Sequence, residues 1–441
     1  MRERRLSFAP HGHLLTNVAA WSADSRWLLF DARSTPDGGV FDGSRIARLD
    51  VVTGRVETLY ESRHGAGCGV VTASPVDDRC VFILGPERPT ADWQYGPARR
   101  QGVVVDMARP GVAVPLEARD LVPPYTPGAL RGGTHVHVFS GDGALVSATY
   151  EDAVLDEPCG GQGPRAGDRA ELNLRGVSVS ACGRAVRVPA AHERNHDGSA
   201  YSVLVTRLAD DPPPGGDEVC RACEEGWIGT AGYVRADGSR QRHALAFQGH
   251  VATAAGGTIA EVFVVDLPDD PRQLELPGAA PLAGTPTTRP APPRGVSQRR
   301  VTFTADRPHP GLAGPRHWLR SSPDGSRIAC LMRDDRGVVQ VFTVRPLGGP
   351  PTPVTHDPWP VASAFTWSPD GTRIAYVADS SVMTVDVATG ESRRLTAATP
   401  GPTAPRPEAC VFSPDGTQVA FLRTLPTAAG PFNQLFIVEA T

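Results

Sequence analysis

The sequence predicts an all-β fold, a single β-propeller of four-stranded blades, on three observations. A strand–turn–strand pattern recurs along the chain, glycine and proline are dense throughout, and the two ends carry complementary pieces of one repeat. The clearest copies occupy residues 318–330, 365–376 and 410–421, each centred on Ser-Pro-Asp-Gly, with turn serines Ser322, Ser368 and Ser413. Proline at the second turn position presets φ, aspartate bonds its own backbone, and glycine takes the left-handed corner. Looser copies begin at Ser22, Ser74, Ser140, Asn195 and Arg235, which makes eight turn signals.

A third strand, such as 339–344 or 382–387, follows most turns, and a fourth often ends in Arg-Arg-Leu/Val-Thr. Four short strands in about 40–50 residues form the unit of a propeller blade. Seven blades is the preferred count, with six or eight open. The unit from 192 to 225 lacks a clear fourth strand, and the Pro/Ala/Thr-rich stretch 267–294 reads as a loop. The last unit stops at its third strand, 434–438. Glu3-Arg-Arg-Leu-Ser-Phe8 matches the fourth strands at 298–303 and 392–396, so residues 3–8 are expected to complete the final blade and cover its edge. No linker divides the chain, so residues 1–441 are expected to form one domain.

Composition supports this and removes whole classes of function. The 47 glycines and 43 prolines disfavour long helices. A formal charge of -4 leaves no electrostatic footprint for nucleic acid. All 44 basic side chains are arginine. Without lysine there is no Schiff-base chemistry and no phosphate-binding lysine of the P-loop or kinase kind. Any anion must be held by arginine, histidine, backbone or metal. No stretch approaches about 18 apolar residues, so no membrane span is expected. The charged start is followed by His11, His13, Thr16 and Asn17 rather than an apolar run, which argues against a secretory signal. Eight cysteines without a framework then suggest reduced thiols and a cytoplasmic location.

Three motifs fail on context. His192-Glu-Arg-Asn-His196 satisfies H-E-x-x-H, but its second histidine sits in a turn signal rather than one helical turn from the first. Cys220-Arg-Ala-Cys223 lacks partner ligands and reads as a pair of loop cysteines. Gly161-Gln-Gly163 does not follow a strand and open a helix. No G-x-S-x-G elbow occurs.

Aligning the units on their turns yields the candidate site. The first strand of each blade lines the channel, with side chains alternating along it. Five residues before the turn stand Asn17, Gly69, His135, His317, Ser363 and Glu408, which predicts a polar ring near one channel mouth. His135-Val-His137 reads as two histidines on one strand face, with Arg131 and Arg316 close in sequence to the ring. His135, His137 and His317 are thus the candidate ligands of a divalent metal, manganese or zinc. Asn17, Arg131, Arg316 and Glu408 are the candidates for holding an anionic ligand. A polar, water-filled channel is the competing reading.

The Ser-Pro-Asp-Gly blades look like those of TolB-type propellers. At finer grain nearly the whole chain resembles the YidR-like proteins, an uncharacterised bacterial family. The resemblance is carried by residues 124–139, by Glu-Glu-Gly-Trp-Ile-Gly at 224–229, by 291–304, and by 316–335. It implies the propeller fold more than an activity. TolB itself is a protein-interaction module, and oligogalacturonate lyases are propellers with a histidine-rich, metal-assisted site. Two functions therefore stand: a scaffold binding an unknown protein or small anionic ligand, and a metal-dependent lyase or hydrolase acting on an anionic carbohydrate. No catalytic residue is assigned.

Overall fold

The Ser-Pro-Asp-Gly turns fold as their chemistry dictates. In the computed structural model Ser322 Oγ donates to Asp324 Oδ1 at 2.5 Å, and Asp324 Oδ1 also accepts the Ser326 amide at 3.0 Å. Gly325 takes a φ of 75°, and the Ser322 amide closes the hairpin on the Arg327 carbonyl at 2.8 Å. The same serine–aspartate bond recurs at Ser22, Ser140, Ser368 and Ser413. These turns join the two innermost strands of successive blades.

The structure describes residues 3–156, 170–408 and 410–440. Seven four-stranded antiparallel sheets follow one another around a ring. From the axis outward, the first blade comprises Gly12–Leu14, Trp27–Arg33, Arg45–Asp50 and Val56–Glu61. The second comprises Cys68–Ala73, Arg79–Leu84, Gln101–Asp106 and Ala113–Pro115. The third has Gly132–Phe139, Leu145–Asp152, Gly176–Val186 and Gly198–Leu204. The fourth has Arg221–Trp227, Ala244–Ala252, Thr258–Asp266 and Ser297–Arg300. Shorter inner strands, Arg320–Ser321, Thr366–Trp367 and Val411–Phe412, begin the fifth, sixth and seventh blades. Because each blade is packed on both faces, its middle strands are buried on both sides, polar residues such as Gln340 and Thr343 included. Val339–Val344 is buried at every residue. No α-helix occurs among the described residues, and no helix is long and apolar enough to cross a membrane.

The ends close as expected. Arg4–Arg5 pairs antiparallel with Gly430–Glu439, Arg4 opposite Ile437, so the chain's first strand is the seventh blade's fourth. Leu6 is buried against Leu435 and Ile437, its amide donating to the Leu435 carbonyl at 2.8 Å.

Eight turn signals produce seven blades because one signal is not a blade turn. Asn195 lies in the connection between the third and fourth strands of the third blade, and 198–204 is that blade's outer strand. The Arg235 signal caps a small hairpin, Tyr233–Val234 with Arg240–Gln241, inserted between the first two strands of the fourth blade. His192 and His196 sit in the irregular connection before the third blade's outer strand, with no helix, so the zinc-protease pattern has no structural basis. Cys223 corrects the loop reading of Cys220-Arg-Ala-Cys223: it lies buried in the strand Arg221–Trp227, and burial pushes its thiol up to about 12. Gly161 and Gly163 lie outside the described residues.

Candidate functional site

The inner strands of three blades carry a common irregularity. Register shifts at 69/72, 135/138 and 223/226, with left-handed φ at Val70, Val136 and Glu224 (60°, 56° and 51°). Each is a β-bulge, which breaks the two-residue alternation of side chains. The polar-ring expectation assumed that alternation, and the bulges redistribute its members.

His135 and His137 therefore do not form a pair. His137 is fully buried, with Nε2 2.9 Å from both Glu117 Oε1 and Thr134 Oγ1. Glu117 Oε2 in turn accepts the Gly102 amide at 2.9 Å, so this imidazole ties the third blade to the second. His317 is also spent on structure. Its Nδ1 lies 2.9 Å from the Pro315 carbonyl, and its Nε2 accepts the Leu331 amide at 3.2 Å. Ser363 does the same in the next blade, accepting the Val377 amide at 2.8 Å. Burial holds His317 neutral, its pKa lowered to about 4. Gly69 leaves room for the buried Asp31–Arg33 pair, which a Cβ there would meet at 2.6 Å.

Among the described residues no three His, Cys, Asp or Glu side chains are grouped to hold a metal ion. His135, His137 and His317 thus do not fit manganese or zinc as a set, because two of the three direct ring nitrogens into the protein's own hydrogen bonds. Arg131 is likewise no ligand clamp. It is buried, paired with Asp152 at 2.7 Å, and its terminal nitrogens bond the carbonyls of Thr285 and Thr288. It anchors the long 267–294 connection onto the third blade. Glu408 pairs with Arg406 two residues away at 2.8 Å.

The structure brings together a different set. Asn17 Oδ1 accepts a 2.7 Å hydrogen bond from Arg320 Nη2, a guanidinium reaching from the fifth blade to the first. Those blades are not neighbours in a ring of seven, so Arg320 spans the channel. Glu225, on the fourth blade, accepts Thr149 Oγ1 of the third at 2.8 Å and lies in the field of Arg320. Burial raises the Glu225 carboxyl to about 7 and lowers Arg320 to about 9. Asn17 Nδ2, Glu225 Oε1 and Arg320 Nε are buried without a partner among the described residues.

His135 has its Nδ1 buried without a partner among the described residues, and burial, then the nearby Arg100, Arg316 and Arg175, hold it neutral. These three arginines come from loops of the second and third blades and the approach to the fifth. Arg316 is about half exposed, pairs with Glu224 at 3.1 Å and stacks over Trp318 at 4.6 Å. Arg175 pairs with Glu151. Arg221, exposed on the fourth blade, acts on His250 beside it.

Sequence reasoning missed Glu225 because no Ser-Pro-Asp-Gly turn follows the fourth blade's inner strand, and Arg320 because it stands two residues before its turn, outside the position-five register. A usable signal was present. Trp21, Trp227 and Trp367 occupy one register, their indole N–H donating to the inner-strand carbonyls of Val411, Val138 and Arg320 in the adjacent blade at 3.1, 2.9 and 3.0 Å. Aligning on tryptophan places Glu225 two residues earlier. Gly226 sits between: a Cβ there would meet the Leu319 carbonyl oxygen at 2.1 Å. Gly226→Ala is expected to force the fourth and fifth blades apart and cost about 2 kcal/mol or more, read as a lower urea midpoint.

A relative named Uncharacterized protein YidR, from Escherichia coli strain K12, is 44% identical over 420 residues, covering 95% of this chain and 94% of the relative. The chain belongs to the YidR family. A family model described as a protein of unknown function (DUF3748) matches residues 67–196, which in this YidR-family chain run from the second blade to the threshold of the third blade's outer strand. Among solved structures, an oligogalacturonate lyase in complex with manganese superposes with a TM-score of 0.55 at 13% identity, covering 99% of this chain and 92% of the other. An oligogalacturonate lyase from Vibrio parahaemolyticus gives 0.53 at 11%, covering 100% and 93%. At such identities the likeness to the YidR-family chain is one of fold.

Proposed function

We propose that this protein is a binding propeller whose arginine-rich channel mouth takes a small anionic ligand, a uronate-like acid being the class that best fits. The observation that carries the reading is the gathering of Arg100, Arg175 and Arg316 about the neutral His135, whose Nδ1 has no partner among the described residues, above a channel spanned by Arg320. Arg175 and Arg316 pair with Glu151 and Glu224, and Arg316, half exposed, is the one placed to exchange its carboxylate for a ligand's. Guanidinium forks match carboxylates, and a neutral imidazole adds a directional polar contact without competing charge. Calorimetric titration with digalacturonate, and with neutral galactobiose as control, tests it. Arg316 is half exposed, so Arg316→Ala leaves the fold intact and is expected to weaken digalacturonate at least tenfold, the order of one charge-assisted hydrogen bond. Equal binding of the neutral sugar, or indifference to Arg316→Ala, overturns the reading.

One observation favours a second reading, elimination beside a uronate carboxylate. A carboxyl poised near neutrality, as Glu225 is, is suited to proton abstraction. Digalacturonate incubated with the protein would then accumulate an ultraviolet-absorbing unsaturated product, absent with Glu225→Gln. No product from the wild-type protein rules this out and leaves the binding role standing.

A further inference from the structure

Away from the channel lies a cleft of about 770 Å³ along the outer part of the second blade, walled on its far side by the loop before the third blade's last strand. That wall is Glu193, Arg194, Asn195 and His196, part of the stretch whose zinc-protease reading the fold removed. It is held rigidly. Arg194 donates to the carbonyls of Glu87 (2.9 Å) and Arg88 (3.2 Å) across the cleft. Asn195 Oδ1 accepts the Leu121 amide at 2.9 Å, and its Nδ2 reaches Asp120 at 3.0 Å. His196 and Arg119 exchange backbone hydrogen bonds of 3.1 and 2.9 Å.

Five arginines line the cleft, Arg63, Arg88, Arg99, Arg119 and Arg194, against only Glu87 and Glu193. Arg119 is nearly sealed from solvent yet pairs with no carboxylate among the described residues. It donates to the carbonyls of Gly132, Arg99 and Arg100 and lies 5.7 Å from the Trp93 ring. Arg63 and Arg88 are exposed at the rim. Among the described residues the Arg88 guanidinium reaches the His64 ring at 3.4 Å, and the Arg63 guanidinium makes no hydrogen bond or ion pair. The cavity's size is that of a small-molecule site. Burial lowers the Arg119 pKa to about 10, the nearby buried Glu117 only partly offsetting that cost, so an anion in the cleft would stabilise the guanidinium further. All of the lining except Tyr60 and Arg63 falls within residues 67–196, the segment the family model matches.

We propose that this lateral cleft is a second ligand site, separate from the channel, for a small oxyanion bearing two or more charged groups, carboxylate or phosphate. Several guanidiniums around one cavity, Arg119 and Arg194 held by carbonyls and Arg63 and Arg88 at the exposed rim, favour a multivalent anion over a monovalent one, because each added group engages another fork without a further loss of translational freedom. Nothing in this assignment depends on the channel mouth.

The test is calorimetric titration of the full chain with inorganic pyrophosphate and with citrate, acetate serving as the monovalent control. Three proteins are compared: wild type, Arg63→Glu/Arg88→Glu at the cleft rim, and Arg316→Ala at the channel mouth. At least one of the two multivalent probes is expected to bind the wild type and Arg316→Ala alike, at least tenfold tighter than acetate. The rim double variant is expected to lose tenfold or more; both its sites are exposed, so its folding is not at stake. Which probe prevails separates a phosphate ligand from a carboxylate one. No binding of either probe at millimolar concentration, binding unaffected by the rim substitutions, or binding abolished by Arg316→Ala overturns the proposal.

Discussion

Removing residues 1–9 is expected to lower the melting temperature by roughly 5 °C or to leave the protein aggregated. The segment contributes far more than its two paired residues indicate. Leu6 is 6% exposed within the core between the first and seventh blades, and burying such a side chain is worth about 2 kcal/mol. Ser7 Oγ accepts the Leu435 amide at 2.8 Å and donates to Gln434 Oε1 at 3.0 Å. Glu3 neutralises Arg423 at 2.8 Å, an arginine only 3% exposed, which the deletion strands as a buried charge. Together these terms are on the order of 5 kcal/mol. The strand Gly430–Glu439 would also become a free sheet edge, the usual template for association. Leu6→Asp should reproduce most of the loss in a full-length chain. Calorimetry showing an unchanged melting temperature in both variants would mean the blade closure adds nothing to stability.

A second large effect is expected from Glu225, read through pH. Its carboxyl is raised from 4.5 to about 7 by burial, with Thr149 and Arg320 favouring the ionised form too weakly to compensate. Between those two values the unfolded chain has given up the proton and the native protein keeps it, so stability is lost as pH rises through this window. The loss amounts to about 3 kcal/mol above pH 7. Glu225→Gln carries no titrating proton. Its stability relative to wild type should therefore grow from pH 5 to pH 8, measured by urea denaturation at each pH. Buried histidines work in the opposite direction at lower pH. His13 and His317, lowered to about 3 and about 4, destabilise the fold as it acidifies below their unfolded value. They are common to both proteins and cancel in the difference. A constant difference across this range would show that Glu225 is ionised in the native state throughout.

The histidines show how far local pattern reaches. Position five before the turn was legible in the sequence for six blades, and the turns are where they were expected at Ser322, Ser368 and Ser413. The facing of that position was not. His135 and His137 are two residues apart, but the left-handed Val136 between them separates their surroundings. A valine has no intrinsic preference for φ of 56°, so the bulge is imposed by packing against adjacent blades rather than encoded in the tripeptide. Arg131 likewise meets Thr285 and Thr288 only because the fold returns a loop more than 150 residues later.

By itself, the sequence determined the repeat, the hairpin turns, the four-strand unit and the joining of both ends, because each depends on backbone chemistry within a few residues or on a match between two strands. It also determined that anion recognition falls to arginine, since lysine is absent. Tertiary structure alone decided which polar side chains meet. Asn17 with Arg320, Glu225 with Thr149, and His135 among Arg100, Arg175 and Arg316 join residues from different blades. Their contacts are set by where bulges aim the inner strands and how seven blades close around an axis, neither of which is written in any one repeat.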